Sequence, residues 1–134
     1  MEMQSLRVMV VDDSAVVAER LAGLLCEDPR IEVCDRVESG LLAFARVAAD
    51  RPDAVLMDLE MPGIGGLAAI RRIKALVGPP AIIVVTLHDS EEMRREAANA
   101  GADAFVPKSR VAYDLLPTLS ALFPCEPSQG AAAA

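Results

Sequence analysis

The sequence has no apolar run long enough to cross a bilayer, no excess of basic charge, no cysteines at metal-ligand spacing and no internal repeat. Each absence removes a class of function. Arg7 interrupts the only apolar stretch near the N-terminus, so neither a signal peptide nor a membrane segment is read there. A net charge of -7 lacks the basic face that nucleic acid demands, and no nucleic-acid contact is expected of this chain. Cys26, Cys34 and Cys125 are odd in number, and the expectation is reduced thiols in a cytoplasmic protein. Cys26 and Cys34 are expected as small buried hydrophobes. Histidine occurs once, at His88.

What is present is core. Of 134 residues, 53% are hydrophobic, which excludes a disordered chain and gives room for one domain. Leu6 to Val11, apolar at five of its six positions, is too short for a buried helix and predicts a central strand. Ser14 can cap the helix after it, with Val17, Leu21, Leu24 and Leu25 on one face. Ile31 to Val37 alternates until Cys34 breaks the pattern, as an edge strand would. Leu41 to Ala49 predicts a helix ended by Arg51-Pro52, and Ala54 to Met57 another central strand. A Pro/Gly loop, Met61 to Gly66, leads to a helix with Leu67, Ile70, Ile73 and Val77 inward and Arg71, Arg72 and Lys74 in solvent. Gly78-Pro79-Pro80 stops it before the strand Ala81 to Val85. A helix from about Ser90 to Ala100 is expected, with Asp89 and Glu92 as a capping box and Gly101 as its stop. Ala104 to Val106 predicts the last strand. The final helix, Asp114 to Phe123, contains Pro117 and should start late or bend there. Residues 1–123 form the expected domain, and residues 124–134 a tail or linker stub without periodicity.

Five strands alternating with five helices predict an α/β fold, a doubly wound five-stranded parallel sheet with helices on both faces. In such a sheet ligands bind beyond the carboxyl ends of the strands. Those ends carry the polar residues: Asp12 and Asp13 after the first strand, Asp58 after the third, Thr86 after the fourth and Lys108 after the fifth. Carboxylates crowded together raise each other's pKa unless cations join them. Lys108 offsets one charge, and a hard divalent cation could offset two. A metal, a lysine and a hydroxyl around one carboxylate also suit a transferring phosphoryl group.

In VVDDS, LMDLEMPGIGG, VVT and FVPKS, taken in that order and each at a strand end, the chain resembles the receiver domains of two-component response regulators, from about Leu6 to Phe123. No one motif is specific; the set is. The resemblance implies a flavodoxin-like (βα)5 fold and a phosphorylation-controlled switch. Asp58 would be the phosphoacceptor, with Mg²⁺ held by Asp12, Asp13, Asp58 and the Glu60 backbone carbonyl. Thr86 and Lys108 would contact the phosphoryl group, and Phe105 would occupy the switch-aromatic position. The implied donor is a histidine kinase or a histidine phosphotransfer protein. An output domain or target protein would read the state, and a weak homodimer is compatible with it.

Three positions depart from the usual pattern. Leu87 follows the threonine where a small residue is common, and its side chain is expected over the phosphoryl site. His88 comes next, near the mouth. Leu87 and His88 are therefore candidate modulators of phosphoryl lifetime. Ser109, not proline, follows Lys108. FVPKS is similar to receivers joined to helix-turn-helix outputs, and DDSAVV to those of chemotaxis methylesterases. Two other readings compete. A haloacid-dehalogenase-type phosphatase would need D-x-D after the first strand, and DDSAV does not supply it. A receiver-like interaction domain, never phosphorylated, would have no use for the full set of site residues. The expectation is a phosphoacceptor module and not an enzyme acting on outside substrates.

Overall fold

In a computed structural model, residues 5–61 and 63–124 are described. Five parallel strands, β1 (Leu6–Val11), β2 (Ile31–Val37), β3 (Ala54–Met57), β4 (Ala81–Thr86) and β5 (Ala104–Pro107), form one sheet in the order β2-β1-β3-β4-β5. The helices are α1 (Ala15–Leu25), α2 (Gly40–Asp50), α3 (Gly65–Lys74), α4 (Glu91–Ala100) and α5 (Val111–Leu122), with a short 3-10 turn at Lys108–Arg110. The expected α/β doubly wound sheet is what forms.

The strands read as unbroken apolar runs because both faces are covered. Successive side chains point to opposite sides. Ile82 and Val84 thus join a core with α2, α3 and α4, while Ile83 and Val85 join one with α1 and α5. Each such side chain, fully buried, contributes about 1.5–3 kcal/mol. β2 is an edge strand, as its alternation predicts, and the break at Cys34 is a bulge: Val8 faces Val33, but Met9 faces Asp35.

Serines set three helix starts. Ser14, Ser39 and Ser90 accept from the amides of Val17, Leu42 and Met93 at 3.2, 3.1 and 3.0 Å. The cap of α4 is therefore Ser90, and the expected Asp89–Glu92 capping box does not form. Asp89 instead receives the Nε–H of Arg94 at 2.9 Å.

Four further expectations are corrected. Val77 is 88% exposed, not inward. The end of α3 tightens into i→i−3 bonds, Ala75 N to Arg72 O and Leu76 N to Ile73 O, which turns Val77 off the apolar face. Lys74 is not solvated: its Nζ donates to the Pro80 carbonyl at 2.9 Å and to Asp103 at 3.0 Å. Cys26 is exposed at the C-terminus of α1, while Cys34 is half-buried. Finally, α5 starts at Val111 and runs through Pro117, its seventh residue. An interior proline costs about 3 kcal/mol. Burial of Val111, Leu115 and Leu119 exceeds that. Cys125 and nearly all of the expected tail lie outside the described residues.

Candidate functional site at the carboxyl edge of the sheet

Each polar residue of the site is delivered by a strand that stops at the same edge. Asp12 follows β1, Asp58 follows β3, Thr86 ends β4, and Lys108 follows β5. Backbone bonds hold the first two in register: Asp58 N donates to Val11 O, and Asp12 N to Val37 O, both at 3.0 Å. Gly66 fixes the loop behind Asp58. A Cβ there would stand 2.5 Å from the Asp58 carbonyl oxygen and 2.6 Å from Leu59 Cα, so only glycine lets α3 begin so close.

Asp12, Asp58 and Thr86 are buried, whereas Asp13 is exposed at the mouth. Carboxylate oxygens of Asp12, Asp13 and Asp58 lie within 4.8 Å of one another. Lys108 Nζ stands 2.9 Å from Asp12 Oδ2 and 3.5 Å from Asp58 Oδ2. The other carboxylate oxygens meet backbone amides: Asp12 Oδ1 accepts from Ser14 N at 2.9 Å, and Asp58 Oδ1 from Glu60 N at 3.3 Å. Thr86 Oγ1 accepts from the His88 amide at 3.3 Å, which leaves its hydroxyl proton to donate elsewhere.

The balance of charge is unfavourable. Burial and then the neighbouring Asp12 carboxylate push the Asp58 pKa above the usual aspartate value, against the Glu60 amide and Lys108. Burial also works against the Lys108 ammonium, but its contacts with Asp12 and Asp58 outweigh that loss and raise its pKa. One lysine serves two buried carboxylates, with a third at the mouth. Asp12 Oδ2 is charge-paired with Lys108, and among the described residues that buried oxygen has no other donor. A buried, under-coordinated oxygen among crowded carboxylates is a donor set that suits a hard cation.

Asp12, Asp13, Asp58, Thr86, Lys108 and the Glu60 and His88 amides gather here, while Leu87, expected over the phosphoryl site, is 72% exposed. Phe105 lies on β5, half-buried against the core shared by α2, α3 and α4. Two contacts were not foreseen. His88 Nδ1 pairs with Glu60 Oε2 across the rim, both side chains largely exposed. Arg94 lies over the Phe105 ring, 4.6 Å from its centroid. The first could have been suspected from two polar residues placed two positions beyond Asp58 and Thr86; the second has no signal in spacing.

Residues 8–119 match the response regulator receiver domain. Among curated proteins, the chain is 39% identical over 112 residues to the protein-glutamate methylesterase/protein-glutamine glutaminase of group 3 operon from Rhodopseudomonas palustris, covering 83% of this chain and 31% of that protein. It is 41% identical over 104 residues to protein-glutamate methylesterase/protein-glutamine glutaminase 2 of Albidiferax ferrireducens, covering 77% and 30%. The chain thus spans less than a third of the length of these relatives. Among solved structures, a LuxR-family two-component response regulator from Aurantimonas sp. superposes with a TM-score of 0.84 at 31% identity, over 89% of this chain and 85% of that one. The response regulator domain of Thermotoga maritima CheB does so with a TM-score of 0.82 at 29% identity, over 88% and 96%. With its parallel five-stranded sheet and its acidic pocket at the strand ends, the chain belongs to the response-regulator receiver domains, the phosphoryl-accepting switches of two-component signalling.

Proposed function

We propose that Asp58 is the residue that accepts the phosphoryl group, and that the donor is phosphohistidine on a histidine kinase or a histidine phosphotransfer protein. One observation carries the assignment: Asp58 is buried where β3 ends, with its carboxylate clustered with those of Asp12 and Asp13 and 3.5 Å from the Lys108 ammonium. Its oxygen attacks phosphorus, the N–P bond breaks, and the leaving imidazole takes up a proton. The product is an acyl phosphate. The Thr86 hydroxyl donates to one phosphoryl oxygen and Lys108 pairs with another. Asp12, Asp13 and Asp58, with the Glu60 carbonyl, would hold Mg²⁺, which when bound neutralises charge on the phosphoryl oxygens.

The surface supports a protein donor. Of the six large hydrophobic residues exposed among the described residues, Val16, Leu41, Leu42, Leu87 and Tyr113 all lie in the first turns or loops after strands, at the edge that holds the site. Only Val77 lies at the opposite edge. An apolar rim around an acidic mouth fits a docking protein better than a small phosphate ester. Such a donor is cytoplasmic, and so is this chain in this reading; among the described residues no helix is long and apolar enough to cross a membrane. Residues 1–123 act as the switch, with no activity on outside substrates. The methylesterase relatives favour an output of that class as its reader.

Intact-mass measurement after incubation with a small phosphodonor and Mg²⁺ tests the assignment. One phosphoryl group, acid-stable and base-labile, is expected on the peptide containing Asp58 and none in Asp58→Asn. Phosphorylation that survives in Asp58→Asn overturns the assignment, and none in the parent favours an interaction domain without phosphorylation.

A further inference from the structure

Arg94 touches both β5 and the loop that leaves the site after Thr86. Its guanidinium covers the ring of Phe105, 4.6 Å from the centroid. The same guanidinium donates from Nε to Asp89 Oδ1 at 2.9 Å. Asp89 belongs to the segment that leaves the site at Thr86, whose Oγ1 accepts from the His88 amide. The ring itself is half-buried, packed against the core that α2, α3 and α4 share on one face of the sheet. It therefore has one side held by apolar packing and another held by a cation, and that cation is tethered to the loop following Thr86.

A guanidinium over a ring is attracted to the π face, and the attraction is lost when the ring moves away. The tether to Asp89 limits the positions from which Arg94 can follow. We propose that Asp89, Arg94 and Phe105 form a latch that keeps the Phe105 ring in place while Asp58 is unphosphorylated, with Arg94 as a positioning residue for the switch. The proposal rests on the reading of Asp58 as phosphoacceptor. When the Thr86 hydroxyl turns to a phosphoryl oxygen, its acceptance from the His88 amide is disturbed. The loop shifts, Asp89 releases Arg94, and the ring is free to move. The neighbouring Arg95 shares the helix and the charge but makes no ring contact among the described residues.

Fluorine NMR of protein carrying fluorophenylalanine reads the latch directly. The chain has three phenylalanines, and Phe105→Leu assigns the resonance of interest. Beryllofluoride with Mg²⁺, a mimic of the phosphoryl group, defines the switched position in the parent. Without either, Arg94→Met should move the Phe105 resonance part of the way toward that position. It should also tighten apparent beryllofluoride affinity two- to fivefold, the size of one exposed cation–π contact. Arg94→Lys should restore much of the parental position, and Asp89→Asn should give a smaller shift of the same sign. Circular dichroism confirms folding of each variant. If beryllofluoride moves the parental resonance but Arg94→Met leaves the free protein unchanged, the latch is overturned and the phosphoacceptor reading stands. If beryllofluoride does not move the parental resonance, the switch reading itself fails, and the latch with it.

Discussion

The two edges of the sheet handle charge in opposite ways. At the amino edge, each ionic group described here is met by partners. Arg7 donates to the Asp50 and Arg51 carbonyls at 2.7 and 3.2 Å, while its own amide is received by Asp53 at 2.8 Å. Asp103 accepts from both Lys74 at 3.0 Å and the Ile82 amide at 2.8 Å. Arg51 reaches the Val77 carbonyl at 2.7 Å. At the carboxyl edge, three carboxylates cluster and one lysine serves two of them, and the buried Asp12 Oδ2 has no donor besides Lys108 among the described residues. The amino edge holds the fold together. The carboxyl edge concentrates negative charge on buried carboxylates, and a hard cation would offset it.

The contrast yields tests of decreasing size. The largest belongs to the carboxyl edge with its cation. At a Mg²⁺ concentration 100 times the dissociation constant, the parent should gain about 2.7 kcal/mol. Asp13→Asn should gain much less at the same concentration in a thermal melt, and equal gains would remove Asp13 from the metal site.

Next comes the amino edge. Asp103→Ala strands the Ile82 amide and leaves the Lys74 ammonium with the Pro80 carbonyl alone, and should lower unfolding free energy in urea by roughly 1–3 kcal/mol whether or not Mg²⁺ is present. A Mg²⁺-dependent loss would mean that the two edges are not independent.

A smaller effect follows from pH. The folded-state pKa of Asp58 is raised, so its ionisation opposes folding. That penalty is absent below the unfolded value of 3.8 and complete once pH exceeds the folded value. Without metal, any stability advantage of Asp58→Asn over the parent should be present at neutral pH and shrink as pH falls through the carboxylate range. An advantage that grows on acidification would reverse the sign of the argument.

The smallest concerns Leu87. At 72% exposure its removal should change stability by less than about 0.5 kcal/mol. If it shields the phosphoryl group from water, Leu87→Ala should shorten the phosphoryl lifetime by a few-fold, timed at saturating Mg²⁺. An unchanged lifetime would leave Glu60 and His88 as the candidates at the rim.

What could be read from the sequence follows the same division. Asp12, Asp13, Asp58, Thr86 and Lys108 were legible because a parallel sheet brings every strand end to one edge, so the order of motifs alone places them together. The edge position of β2 was legible in its alternation, whereas the bulge at Cys34 was not predicted. The contacts that depend on the phase of a helix were not. Lys74 meeting Asp103, or Arg94 meeting Phe105, requires knowing how α3 and α4 rotate against the sheet. Val77 left its predicted face because the last turn of α3 tightened, and Pro117 stayed inside α5 because burial on the far side of the helix outweighed a local penalty. Local rules predicted local features; where tertiary packing competed, it won.

The difference in stability between Asp58→Asn and the parent, measured in urea at neutral pH with and without Mg²⁺, tests the central claim most directly. Asparagine keeps an acceptor for the Glu60 amide but removes one charge from the crowded edge. The variant should be the more stable protein without metal, and the parent should close or reverse that gap when Mg²⁺ is added. A variant less stable than the parent without metal would contradict the account, because the carboxyl edge would then be held together by the charge said to strain it.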